Sequence, residues 1–104
     1  MYFSPQPKTG QIRLHGKAKQ ELQARVRSRD SYMCQICGRG VVYEPPHHEK
    51  PISQGGEDIM EGMITLCYPC HRIRHDGPGS KEMKDKIVKR LGEINENLHN
   101  LPKS

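Results

Sequence analysis

A chain of 104 residues with 33% hydrophobic content has room for one domain and too little apolar surface for a large core, so a structural metal is an expected aid to folding. It has no tryptophan, one phenylalanine and no apolar run long enough to span a bilayer, so no membrane partner is expected. The formal charge of +5 is uneven: residues 1–31 carry Lys8, Arg13, Lys17, Lys19, Arg25, Arg27 and Arg29 against Glu21 and Asp30, and the other ten basic and ten acidic residues cancel. A basic first third points to a polyanion, nucleic acid first, although a solvated helix face explains the charge as simply.

Met1–Gly16, with two prolines and two glycines and no sustained period, reads as a flexible arm, leaving 17–104 as the folded domain. Lys17–Arg29 reads as a basic helix. Ala18, Leu22 and Val26 recur along one face, leaving Arg25, Arg27 and Arg29 near a ligand surface. Val41-Val42-Tyr43 and Met63-Ile64-Thr65-Leu66 predict a hairpin-like pair of strands, joined through a polar surface loop over 51–62 that contains Gly55-Gly56. A short helix is predicted from Tyr68 to His75, stopping at Gly77-Pro78-Gly79. Ser80 then serves as the expected N-cap of a last helix over 80–98, where Ile87, Leu91, Ile94, Leu98 and Leu101 form a two-heptad seam. Packing on its own domain is the simpler use of that seam; a homodimer contact is the other.

Cys34-Gln-Ile-Cys37-Gly and Cys67-Tyr-Pro-Cys70-His make two Cys-x-x-Cys pairs. Each pair offers two thiolates from one tight turn, and four soft ligands suit a tetrahedral structural Zn²⁺ with no open position for substrate. Without a secretory signal at residues 1–10, a reducing cytoplasmic setting favours metal over two disulfides. The 29 residues between the pairs exceed the spacing of a simple zinc ribbon, so something is inserted there.

The insert carries His47-His48, and the helix after the second pair carries His71 and His75. Residues four apart on a helix project from one face and can grip one cation. Adjacent residues in an extended strand point to opposite faces, so one of His47 and His48 suits metal binding and its neighbour acid–base chemistry. Three neutral imidazoles with an open position would make a catalytic site. Replacement of a cysteine by His71 or His75 at the zinc is the alternative, but four cysteines already fill that site.

Tyr-x-Cys-Gln-x-Cys-Gly, then Pro-Pro-His-His-x-x-Pro-x-Ser-x-Gly-Gly-x-Asp, then Ile-Thr-Leu-Cys-x-x-Cys-His, in that order over about Arg29–His75, resembles the HNH endonucleases, also called ββα-metal or His-Me finger nucleases. The paired histidines followed by His-x-x-x-His also look like the nuclease domains of colicins. The resemblance implies an α+β fold: a small ββα-metal domain with its motif core over 29–76, on a four-cysteine zinc scaffold, flanked by the N-terminal basic helix and the C-terminal helix. It implies hydrolysis of DNA phosphodiester bonds with 5′-phosphate and 3′-hydroxyl products, by nicking where a single site acts. His47, His71 and His75 would hold a catalytic divalent ion (Mg²⁺, Mn²⁺, Ni²⁺ or Zn²⁺), and His48 would be the general base. From their place on the ligand helix, Arg72 and Arg74 join Arg25, Arg27 and Arg29 as candidate nucleic-acid contacts, though a solvated helix face explains Arg72 and Arg74 about as well. The family's central asparagine, which braces the loop carrying the base, falls at Gly62. Glu61 or a residue of the long loop would have to replace it; otherwise the chain is a catalytically weak or inactive zinc-stabilised DNA-binding module, or a structural zinc domain serving a protein partner.

Overall fold

The computed structural model describes residues 12–49 and 56–99. In chain order these form helix α1 (Gly16–Arg29), strand β1 (His47–His48), a single 3-10 turn (Met60–Gly62), strand β2 (Met63–Ile64), helix α2 (Tyr68–His75) and helix α3 (Ser80–His99). The fold is α+β, as the motifs imply. No described helix is long and apolar enough to cross a membrane.

The sheet is one antiparallel pair with His47 opposite Ile64 and His48 opposite Met63. The strand expected at Val41-Val42-Tyr43 does not form: Val41 is buried and donates its N–H to Tyr32 O, while Val42 and Tyr43 are exposed. Pro45 and Pro46 lack N–H donors, so a ladder can begin only after them, at His47.

Because alternate strand residues face opposite ways, β2 separates two apolar clusters. Met63 packs with Leu22 and Val26 of α1, together with Leu14 and Met60. Ile64 packs on the other side with Cys34, Val41, Leu66, Cys67, Cys70 and the α3 residues Met83, Ile87, Leu91 and Ile94. The seam residues Ile87, Leu91 and Ile94 thus face this domain's own core; of the rest of the seam, Leu98's side chain and Leu101 lie outside the described residues. Ala18, expected on the apolar stripe of α1, is exposed. Ser80 is the first residue of α3 and not its cap, and its hydroxyl donates to Arg74 O, tying the end of α2 to the start of α3.

Residues 1–11 of the expected arm lie outside the described residues. From Ile12 onward the chain is tied down: Asp58 N donates to Ile12 O, and Leu14 N donates to an Asp58 carboxylate oxygen.

Arg29, expected at a nucleic-acid surface, turns inward instead. Its Nε and Nη2 donate to Asp30 Oδ1 and Oδ2 at 2.8 and 3.0 Å, Nη1 donates to Met60 O at 2.7 Å and Nη2 to Met63 O at 2.6 Å. Asp30 also accepts from Thr65 N, so the pair fastens the end of α1 to both ends of β2. With side chains 8% and 1% exposed, removing one partner strands the other's charge. Arg29→Ala is therefore expected to cost about 3–5 kcal/mol in denaturant unfolding. A surface phosphate contact would instead leave stability unchanged and weaken only DNA binding.

Candidate metal centre and histidine pair

The four cysteines converge from two turns. Cys34 and Cys37 lie on a knuckle closed by Gly38, whose φ of +84° glycine adopts without strain and whose N–H donates to Cys34 O. The N–H groups of Ile36 and Cys37 both approach Cys34 Sγ at 3.5 Å. Cys67 caps α2, and Cys70 lies in its first turn. All four Sγ atoms lie within 4.8 Å of one another, Cys37 and Cys67 at 3.5 Å. A tetrahedral zinc with Zn–S bonds of about 2.3 Å places its sulfurs about 3.8 Å apart, so the set fits the ion. The electrostatics agree. Burial raises the Cys34 thiol, but N–H groups from Cys37, Cys67 and Ile36 bring it down to about 7, whereas burial and neighbouring sulfurs push Cys67 and Cys70 up. Four sulfurs this close can all ionise only around a cation.

The histidines form a second centre. His71 and His75 are one turn apart on α2 with Nε2 atoms 3.0 Å apart, and the ring of His47 stands edge-on to both, at centroid distances of 5.0 and 5.3 Å. One ligand nitrogen from each of the three lies within 4.8 Å of the others. The strand register explains the selection: His47, opposite Ile64, shares the face that packs toward α2 and α3, and His48, opposite Met63, turns toward α1. Burial drives the His47 imidazole down to about 4, with Glu49 opposing and His71 and His75 adding to the fall; burial, then His75, lowers His71. Both therefore favour the neutral, ligating form near neutral pH. The set fits a divalent cation, and an open groove lined by Tyr68, His71, Arg72, His75 and Asp76 reaches it.

Each of the adjacent histidines has its own carboxylate. His47 Nε2 lies 3.1 Å from Glu49 Oε1, and Glu49 is held by the Arg74 guanidinium at 3.2–3.4 Å. His48 Nε2 lies 2.8 Å from Oδ1 of Asp58, which is 3% exposed. Burial raises the Asp58 carboxyl, but hydrogen bonds from Leu14 N and His48, with the charges of His48 and Lys19, hold it below its ordinary value. As carboxylates only accept, each histidine donates from Nε2, so in a neutral ring the lone pair lies on Nδ1.

The arginines divide. Arg25 and Arg72 are exposed, and Arg27 is half-buried with Nη1 donating to Glu44 O. Arg74 does not offer a free guanidinium: it is paired with Glu49 and donates to Ser80 Oγ. Sequence reasoning missed Glu49, and gave Asp58 only as the last residue of the Gly-Gly-x-Asp motif, without a role. Glu49 is two residues from His47, but only the ladder shows that it is turned back. Around Gly62, Glu49 N donates to Gly62 O and Asn95 Nδ2 of α3 donates to Glu61 O, so a distant helix steadies the turn where the asparagine is missing.

The HNH endonuclease family profile matches residues 34–77, which span both centres. Anaredoxin of Nostoc sp. is 36% identical over 55 residues, 53% of this chain and 72% of anaredoxin. The type IV methyl-directed restriction enzyme EcoKMcrA of Escherichia coli is 29% identical over 70 residues, 60% of this chain and 25% of that enzyme. The uncharacterized protein YisB of Bacillus subtilis is 40% identical over 43 residues, 41% of each chain. This chain thus spans well under half of the last two relatives. No solved structure matches it.

Proposed function

This chain belongs to the HNH endonuclease family, and on that premise we propose that it is a divalent-metal-dependent endonuclease that hydrolyses DNA phosphodiester bonds one strand at a time. The observation that carries the reading is the convergence of His47, His71 and His75 within 4.8 Å, with His48 next along the strand and directed to the other face. A match to a restriction enzyme supports DNA as the substrate.

In this reading His47, His71 and His75 hold the ion, and Cys34, Cys37, Cys67 and Cys70 hold structural zinc. The bound divalent ion supplies charge stabilisation to the phosphate and to the departing 3′-oxygen. His48 takes a proton from the attacking water; the water oxygen bonds to phosphorus as the 3′-oxygen–phosphorus bond breaks, and the departing 3′-oxygen takes a proton from solvent water, leaving a 5′-phosphate and a 3′-hydroxyl. Arg25, Arg27 and Arg72 contact phosphates.

Glu49 supports the ion by fixing the His47 ring and its tautomer. Glu49→Gln is expected to weaken divalent-metal binding at the histidines by about 10–100-fold in calorimetry while zinc content stays unchanged. Unaltered affinity would remove Glu49 from the site.

The test of function is nicking of supercoiled plasmid by zinc-loaded protein, first in EDTA sufficient to strip the histidine site and then with Mg²⁺, Mn²⁺, Ni²⁺ or Zn²⁺ restored. Metal-restored relaxed circles are expected. DNA binding without nicking under every metal would favour the inactive binding module.

A further inference from the structure

The segment ahead of α1 contributes to the histidine site although it lies outside the residues that match the family. Asp58 is engaged at three points: Oδ1 accepts from His48 Nε2 at 2.8 Å, Oδ2 accepts from Leu14 N at 2.7 Å, and its own N–H donates to Ile12 O at 2.9 Å. Ile12 N returns a bond to Glu57 Oε2 at 2.9 Å. Leu14 also packs against the cluster of Leu22, Val26 and Met63, which anchors the segment to α1 and β2.

We propose that Asp58 is the positioning residue for His48, and that the backbone of Ile12–Leu14 locks its carboxylate, making this segment part of the catalytic site. The proposal rests on the reading of His48 as the base. A carboxylate with both oxygens engaged and its backbone pinned has no freedom to rotate. It holds the imidazole at one orientation in the Nε2–H tautomer and directs the Nδ1 lone pair away from itself. When Nδ1 takes a proton from water, the ring becomes imidazolium and the buried negative charge 2.8 Å away stabilises it; Asp58 keeps its charge and no proton passes to it. Half-burial of His48 sharpens the need, because a ring in the wrong orientation cannot exchange partners freely with water.

The alternative is that Asp58 only fastens residues 12–14 and touches His48 incidentally. Single-turnover cleavage at saturating DNA separates the two, using full-length Asp58→Ala and Asp58→Asn, alone and combined with His48→Ala. Positioning predicts that Asp58→Ala lowers the rate at least about tenfold, up to the roughly 10⁴-fold seen when the corresponding triad carboxylate loses its charge, with KM unchanged. It also predicts no further loss when Asp58→Ala is added to His48→Ala. Asp58→Asn, which keeps the shape but can accept at one oxygen only, should slow cleavage while remaining folded at the assay temperature. The same proportional loss with and without His48, or an unchanged rate, would overturn the proposal. Nitrogen-15 NMR of the wild-type His48 ring reads the clamp without cleavage or substitution, so its outcome is separate from that of the nuclease reading. A protonated Nε2 with a slowly exchanging proton is expected, and a ring protonated at Nδ1 or averaging between tautomers would contradict it.

Discussion

Replacing Cys34 or Cys70 with serine is expected to release zinc and unfold the chain. Both residues are buried in the larger apolar cluster, and their sulfurs join the knuckle after α1 to the first turn of α2, against which α3 packs. Structural zinc contributes on the order of 10–16 kcal/mol in zinc-finger peptides at neutral pH. A domain's total stability is only about 5–15 kcal/mol, so losing one thiolate removes more than the rest of this small core can replace. Zinc content by metal analysis and helix content by circular dichroism would report the change. Wild-type zinc and melting temperature in either variant would remove the four-sulfur site from the account.

His48→Ala is expected to retain zinc, metal binding at the other three histidines and DNA affinity, and to lose cleavage by about 10²–10⁴-fold, the usual contribution of a general base. The substitution also leaves Asp58 Oδ1 without its imidazole partner. That costs roughly 1–3 kcal/mol, so cleavage is best compared well below the melting transition. Undiminished nicking by this variant would show that another group accepts the proton.

Both centres were legible because each rests on local spacing: Cys34 with Cys37, Cys67 with Cys70, and His71 with His75 are close enough in sequence for one turn or one helix face to unite them. From the residues alone the division of labour between His47 and His48 was legible only as an alternation; the family resemblance assigned the roles. Which of them faces α2 depends on a register with Ile64 and Met63 that no local pattern specifies. The carboxylates were harder still. Asp58 closes the Gly-Gly-x-Asp motif, but it lies ten residues from His48 and 44 from Leu14 in a polar loop with no periodicity, so its burial and its partners could not be read from it. Charge counting also misplaced Arg29 and Arg74: a basic residue reads alike in sequence whether it meets phosphate or, as here, Asp30 or Glu49.

The central claim is that the histidine centre, and not the cysteine centre, runs DNA cleavage with a divalent ion. It is tested most directly by the single-turnover cleavage rate of His71→Ala beside wild type, once both are shown to carry equal zinc at the cysteines and to bind DNA equally. Metal restored after EDTA is expected to revive cleavage in wild type and to fail to do so in His71→Ala. Cleavage at the wild-type rate by folded, zinc-loaded His71→Ala would contradict it.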